Sequence, residues 1–532
     1  MKRFGVMLDM SRNAVMKVDS LKKFIQTLKT FGYNMIQLYT EDTYEVENEP
    51  YFGYMRGRYT VEELKDVVSY CNDLGMEAIP CIQTLAHLNQ IFRWAEYSEV
   101  RDVNDILLVE EDRTYQLIEN MFKTLRKTFT SEYVHIGMDE AHMLGLGKYL
   151  DKHGVKNRFD ILYRHLMKVI GIAEKYGFKP IMWSDMFFRL ANRGEYYPPD
   201  PQLSDEVRAK IPQQVGLVYW DYYNNEQSYF EKMMKAHQTA GETWFAGGAW
   251  TWAGFAPGNK KTMDTMTPAM RAAKNTGIEN IFITMWGDNG KECSFWAMLP
   301  SLFAIRKLYD GETDMQAIKQ EFQSITGEDY DAFTALELPN LVGECYGTPQ
   351  NPSKHMLYSD PFNGFLDSTV KKGVGKEYEQ CAARLTAYAE KSQYAYLFKS
   401  MSALCSVMAV KYDLGARTRI AYQAKDRSAL QALIADYQET ETRLEKFYQA
   451  FQTLWFTENK PHGFDVQDLR LGGLMQRLKS CRLRLVAFLG GKVEDIPELE
   501  EKLLDFYCRK DGFDKTTPVY NWWVDNASVN II

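Results

Sequence analysis

The sequence predicts a closed (β/α)8 barrel over residues 1–310, followed by a mainly α-helical domain over residues 311–532. Two observations carry this expectation. An amphipathic helix, a glycine-bearing break and a short apolar strand recur in that order through the first 300 residues. Beyond about residue 310 the strand units stop and helical spacing takes over. Alternation of strand and helix implies a parallel sheet, and eight such units fit a barrel better than an open sheet.

The first strand is the apolar run 4–8. A helix over 21–31 stops at Gly32 and leads into a strand over 34–39; another over 61–74 stops at Gly75 and leads into 77–82. Residues 133–136 form the fourth strand. A helix over 159–176 stops at Gly177 before a strand over 180–183, and 215–219 supplies the sixth. Helices over 229–240 and 270–275, ended by Gly241 and Gly277, precede strands over 243–245 and 281–286. Glycine just past a helix is the expected stop, because it enters the left-handed region at no steric cost. No Gly-x-Gly-x-x-Gly follows any strand, which argues against a dinucleotide-binding sheet. Residues 339–364, rich in Pro and Gly, read as a long loop, and helices are expected from 377 through 504. Trp522 and Trp523 are expected to pack against another element.

Composition narrows the function. With 63 basic and 71 acidic residues the net charge is −8, which gives no reason to expect nucleic acid or an anionic membrane as partner. The apolar run at the N-terminus meets Asp9 too early for a signal peptide, and no run approaches the ~18 residues of a membrane span. Eight cysteines without a Cys-x-x-Cys pair indicate neither a disulfide framework nor structural zinc, so the cytoplasm is the expected compartment.

Barrel enzymes place their working groups at the C-terminal ends of the strands. Here those ends carry Asp9 and Arg12, Glu41 and Asp42, His87, Asp139 and Glu140, Trp183, Trp220 with Tyr222 and Tyr223, Trp250 with Trp252, and Trp286 with Asp288. Adjacent carboxylates suit general acid and base work, but both can serve one pocket only if the chain turns between them. Tryptophans at four successive strand ends can wall a sugar-sized cup, since sugar rings present apolar faces.

The stretch His135-Ile136-Gly137-Met138-Asp139-Glu140 resembles the His-x-Gly-x-Asp-Glu signature of family 20 glycoside hydrolases, the β-N-acetylhexosaminidases, in a form without the small α/β domain that often precedes the barrel. The resemblance implies an exo-acting, retaining enzyme that needs no cofactor or metal. Its partners would be β-N-acetylhexosaminide oligosaccharides or glycoconjugates; oligomeric state stays open. It implies that Glu140 is the general acid and that Asp139 orients the substrate's acetamide, which serves as nucleophile. It assigns Arg12 to the sugar hydroxyls, His87 to a link between an acid on the second strand (Glu41 or Asp42) and the catalytic acid, and Trp183, Trp220 and Trp286 to the sugar and acetamide. Asp288 stands where many members have glutamate. The family's tyrosine at the seventh strand is missing; Tyr222 or Tyr223 on the adjoining strand, or Trp250 or Trp252, is the expected substitute, with Tyr222 favoured by its strand parity with Trp220. Three other readings of the residues stand beside this one: a metal-dependent barrel hydrolase built on His135, Asp139, Glu140 and His142, a two-carboxylate glycosidase pairing Glu140 with Asp221 or Asp288, and a sugar-binding barrel without catalysis.

Overall fold

A computed structural model describes residues 2–343, 351–504, 506 and 522–530. Eight parallel strands close on themselves in sequence order: β1 (Arg3–Asp9), β2 (Met35–Thr40), β3 (Glu77–Ile82), β4 (Tyr133–His135), β5 (Lys179–Trp183), β6 (Gly216–Trp220), β7 (Thr243–Gly248) and β8 (Asn280–Met285). The ring closes where β1 pairs with β8, from Arg3 opposite Asn280 to Leu8 opposite Met285. The strands are buried on both faces, as near-continuous apolar runs must be when helices cover the outside.

The helix Val61–Asp73 shows how the outer layer is specified. The Thr60 hydroxyl accepts the Glu63 N–H at 3.1 Å while the Glu63 carboxylate accepts the Thr60 N–H at 2.9 Å. Leu64, Val67, Val68 and Cys71 then recur at helical spacing and are buried, and each large apolar side chain contributes about 1.5–3 kcal/mol. Gly75, at φ +64°, ends the turn. The helix Asp112–Thr128, between β3 and β4, has no such stop; Phe129 leaves it in an extended conformation. That is why a glycine-guided reading passes over it.

Within the Pro- and Gly-rich stretch expected to be loop, residues Pro352–Tyr358 form a fully buried helix. Pro352 is a starter there and not a breaker, since the first helical N–H needs no partner within the helix. Helices Val374–Ala389, Ala395–Lys411, Leu414–Gln423, Arg427–Glu458 and Phe464–Leu489 follow. Trp523 meets Tyr358 edge-on with ring centroids 6.4 Å apart, whereas Trp522 is exposed. No helix among the described residues is long and apolar enough to cross a membrane.

The chain forms two compact units that do not part at one position. The first comprises Met1–Ala249, Thr262–Trp286 and Leu302–Asp314; the second comprises Trp250–Lys261, Gly287–Ser301 and Met315–Ile532. Residues 250–261, after β7, and 287–301, after β8, therefore belong to the second unit.

Candidate active site

The carboxylate pair sits just beyond β4, where the backbone leaves the strand abruptly. Gly137, Met138 and Glu140 have φ of +70°, +69° and +50°. Such values are costly for residues with a Cβ and persist only where the surroundings enforce them. Gly137 has no alternative: a Cβ there would come within 2.0 Å of the Gln83 side-chain oxygen. This is the turn that lets Asp139 and Glu140 face one space.

A chain of polar contacts spans the mouth of the barrel from β1 to β5. Asp9 accepts from Ser11 at 2.7 Å and pairs with Arg12 at 2.8 Å. Arg12 also lies 3.5 Å from Glu41, which accepts the Tyr39 hydroxyl at 3.0 Å. The Gln83 amide donates to the Tyr39 hydroxyl at 3.0 Å and to Asp139 Oδ1 at 2.8 Å, while its oxygen accepts the Met138 N–H at 3.2 Å. His87 Nε2 stands 3.3 Å from Asp139 Oδ2 and 3.8 Å from Glu140 Oε2. Asp185 accepts the Glu140 N–H at 3.1 Å.

The electrostatics separate the members of this chain. Burial alone would raise the Asp139 pKa, yet the adjoining His87 and the Gln83 amide hold it down to about 2. Burial alone would lower His87; Asp139 and Glu41 nevertheless lift it to about 10, so the two form an ion pair. Glu41 is pushed up to about 7, burial outweighing Arg12. Asp185 is also pushed up to about 7, by burial and then by the charge on Asp139. The Glu140 side chain is 44% exposed while that of Asp139 is 13% exposed, so Glu140 is the member of the pair that solvent reaches.

The aromatic wall follows β5, β6 and β8. Trp183 is buried, 4.4 Å from the His135 ring and 5.9 Å from Trp286. Trp220 stacks on Tyr222 at 5.3 Å, and the Tyr222 hydroxyl bonds with the Trp286 and Thr284 side chains. Trp286 meets Tyr39 edge-on at 4.8 Å and lies under the Arg12 guanidinium at 5.2 Å. Arg12, His87, Trp183, Trp220, Tyr222, Trp286, Asp139 and Glu140 thus all belong to the first unit. Trp250, Trp252 and Asp288 belong to the second, where the two indoles stack at 4.4 Å and Asp288 is exposed.

Two expectations resolve differently in detail. Of the acids on the second strand, Glu41 faces Arg12, whereas Asp42 is held by Arg56 at 3.3 Å. His87 lies nearer Asp139 than Glu140, so its main link is to the buried carboxylate. Of the residues suggested for a metal, His135 accepts the Gly137 N–H at 3.1 Å and is pushed by burial down to about 3. Among the described residues no group of three His, Cys, Asp or Glu is placed to hold a metal ion. Asp221 accepts the Tyr219 hydroxyl at 2.6 Å and three donors from Tyr223 and Asn224, which occupy its oxygens.

Sequence reasoning assigns no role to Gln83, Tyr39 or Asp185, and none to Asp9 beyond its place at a strand end. Their common signal is a polar group at the end of an otherwise apolar strand. Asp185 supports a test of the local electrostatics. A buried carboxyl with a folded-state pKa near 7 keeps its proton where the unfolded chain, at about 4, has lost it. Its burial therefore costs stability progressively as pH rises from about 4 to about 7. Asp185→Asn retains an acceptor for the Glu140 N–H and removes that cost. The Tm difference, variant minus wild type, should rise across this interval by the equivalent of a few kcal/mol and then level off. A difference that does not vary with pH contradicts the assignment.

Residues 3–240 match the family described as "Glycosyl hydrolase family 20, catalytic domain", and residues 328–517 match "Glycoside Hydrolase 20C C-terminal domain". Hexosaminidase D of Bos taurus is 24% identical over 226 residues, covering 40% of this chain and 60% of that protein. A Beta-hexosaminidase of Akkermansia muciniphila is 24% identical over 233 residues, covering 36% of this chain and 45% of its own. The match thus spans about half the length of these relatives. A solved β-N-acetylhexosaminidase from Bacteroides fragilis is 18% identical with a TM-score of 0.46, covering 61% of this chain and 69% of its own.

Proposed function

The chain belongs to glycoside hydrolase family 20, and on that premise we propose that it is an exo-acting, retaining β-N-acetylhexosaminidase that removes terminal β-linked GlcNAc or GalNAc from oligosaccharides or glycoconjugates. The observation that carries the reading is the setting of Asp139: buried, ionised, and held at both oxygens by Gln83 and His87 beside the solvent-facing Glu140.

In this reading the terminal sugar enters the aromatic cup and Arg12, fixed by Asp9, binds its outer hydroxyls. The 2-acetamido group lies between Trp183, Trp220 and Trp286. Asp139 accepts the acetamide N–H and turns the carbonyl oxygen toward the anomeric carbon. Glu140 gives its proton to the glycosidic oxygen as that oxygen leaves, and the carbonyl oxygen closes an oxazolinium-type ring. Positive charge spreads over the ring, and ionised Asp139 stabilises it. Glu140, now a carboxylate, takes a proton from water, and the hydroxide opens the ring with the original configuration restored. The role of His87 is to keep Asp139 charged and oriented. Tyr222 is the residue proposed for the acetamide carbonyl. The cytoplasm is the proposed compartment, on the composition given above.

The test is product analysis. Proton NMR during the first minutes of hydrolysis of a terminal β-GlcNAc oligosaccharide should show the β-anomer of free GlcNAc before mutarotation. First appearance of the α-anomer overturns the retaining mechanism, and release of internal oligosaccharides overturns exo action.

A further inference from the structure

The segments that follow β2 and β3 carry three large aromatic side chains for which the mechanism has no use. Tyr51 and Tyr54 lie after β2 and Trp94 after β3. Their ring centroids are 6.0 Å apart for Tyr51 and Tyr54, 5.6 Å for Tyr51 and Trp94, and 5.4 Å for Tyr54 and Trp94. Tyr51 and Tyr54 are 43% and 44% exposed, and Met55 beside them 72%. Apolar residues exposed singly need no explanation, but a contiguous patch drawn from two loops marks a surface that meets something.

Both loops are anchored to the rim of the mouth that holds the polar chain. Gly53, at φ +66°, packs so closely on the Asp42 carbonyl that a Cβ would lie 1.9 Å from it. Arg56 reaches the Asp42 carboxylate at 3.3 Å and also donates to the Ser11 carbonyl. Asp42 adjoins Glu41 and Ser11 adjoins Arg12, so this loop is fixed to the ends of β1 and β2. Trp94 follows in the segment that begins with His87, whose imidazole is 3.8 Å from Glu140. Arg93, next to Trp94, acts electrostatically on Asp42. The two segments that carry the aromatic trio therefore start from the strand ends that hold Glu41, Asp42 and His87, the last 3.8 Å from Glu140. In the proposed mechanism the leaving group departs at Glu140.

We propose that Tyr51, Tyr54 and Trp94 form a stacking platform for a sugar ring of the leaving group, giving the enzyme a preference for oligosaccharide over small aglycones. A sugar ring fits this surface chemically. Its C–H face is apolar and stacks on aromatic rings, while its rim hydroxyls can exchange hydrogen bonds with the two tyrosine hydroxyls. The inference rests on the glycosidase reading of Asp139 and Glu140 and adds to it the class of group on the reducing side.

The experiment compares kcat/KM on N,N′-diacetylchitobiose with that on methyl N-acetyl-β-glucosaminide, whose aglycone is too small to stack. The ratio of the two, disaccharide over methyl glycoside, should fall about tenfold in Trp94→Ala, the size of one good stacking contact. It should fall in the same direction in the double variant Tyr51→Ala/Tyr54→Ala and recover in Trp94→Phe. An unchanged ratio overturns the platform, whether both substrates lose activity together or neither does. Failure of the wild-type enzyme to hydrolyse either substrate is a different result. It removes the glycosidase reading, and the platform falls with it.

Discussion

A 4-nitrophenyl β-N-acetylglucosaminide is expected to be hydrolysed several orders of magnitude faster than the matching β-glucoside, compared as kcat/KM. The two share their leaving group, so the demand on Glu140 is the same for both. They differ in the nucleophile. A carbonyl oxygen held against the anomeric carbon acts at an effective concentration on the order of 10⁵–10⁸ M, and the plain glucoside has nothing to put in its place. Two of the carboxylates at the mouth are already engaged. Asp139 is bound by Gln83 and His87, and Asp221 spends its oxygens on Tyr219, Tyr223 and Asn224. Comparable rates on the two glycosides sink the substrate-assisted mechanism and bring back direct attack by a carboxylate.

Asp139→Asn and Glu140→Gln should separate cleanly when kcat is measured across leaving groups of graded pKa. Glu140→Gln removes the proposed proton donor, a contribution of roughly 10²–10⁴-fold. Activated aryl leaving groups depart with little need of that proton, so the loss should grow steeply as the leaving group becomes poorer. Asp139→Asn keeps the shape and removes the charge that faces the developing positive ring, which is worth on the order of 10²–10³-fold. That loss should fall on good and poor leaving groups alike, giving a line near the wild-type slope but displaced downward. Asparagine also replaces an ion pair with His87 by a neutral contact, leaving a buried cation without its partner. Coincident or exchanged profiles contradict the division of roles within the pair.

Much of the barrel can be read from the chain because five of its eight strands are announced by a helix, a glycine and an apolar run, and the other three by an apolar run alone. Where the announcement is missing the reading fails locally. The helix Asp112–Thr128 ends without glycine, and the buried helix Pro352–Tyr358 opens with the residue usually taken as a breaker. The Asp139-Glu140 pair is legible as chemistry, and so is the need for a turn between strand and carboxylates. What links the pair to the rest of the mouth is not. Gln83 reaches Tyr39 across 44 residues of sequence and Asp139 across 56, and Asp185 reaches the Glu140 amide across 45. Contacts of that range depend on barrel closure and leave no local pattern.

The interleaved chain also constrains the order in which the protein can be made. The second unit draws on 250–261 and 287–301, stretches that lie between β7, β8 and the close of the first unit at Asp314. During synthesis these two stretches emerge while most of their own unit is still untranslated. They must wait, uncommitted, for some two hundred residues to follow, and domains that fold as units expose apolar surface during such a wait. Trp250, Trp252, Phe295 and Trp296, all buried in the finished protein, fall in these waiting stretches. A gene cut after residue 310 would free the first unit from the helices but strand those four rings without the unit to which they belong.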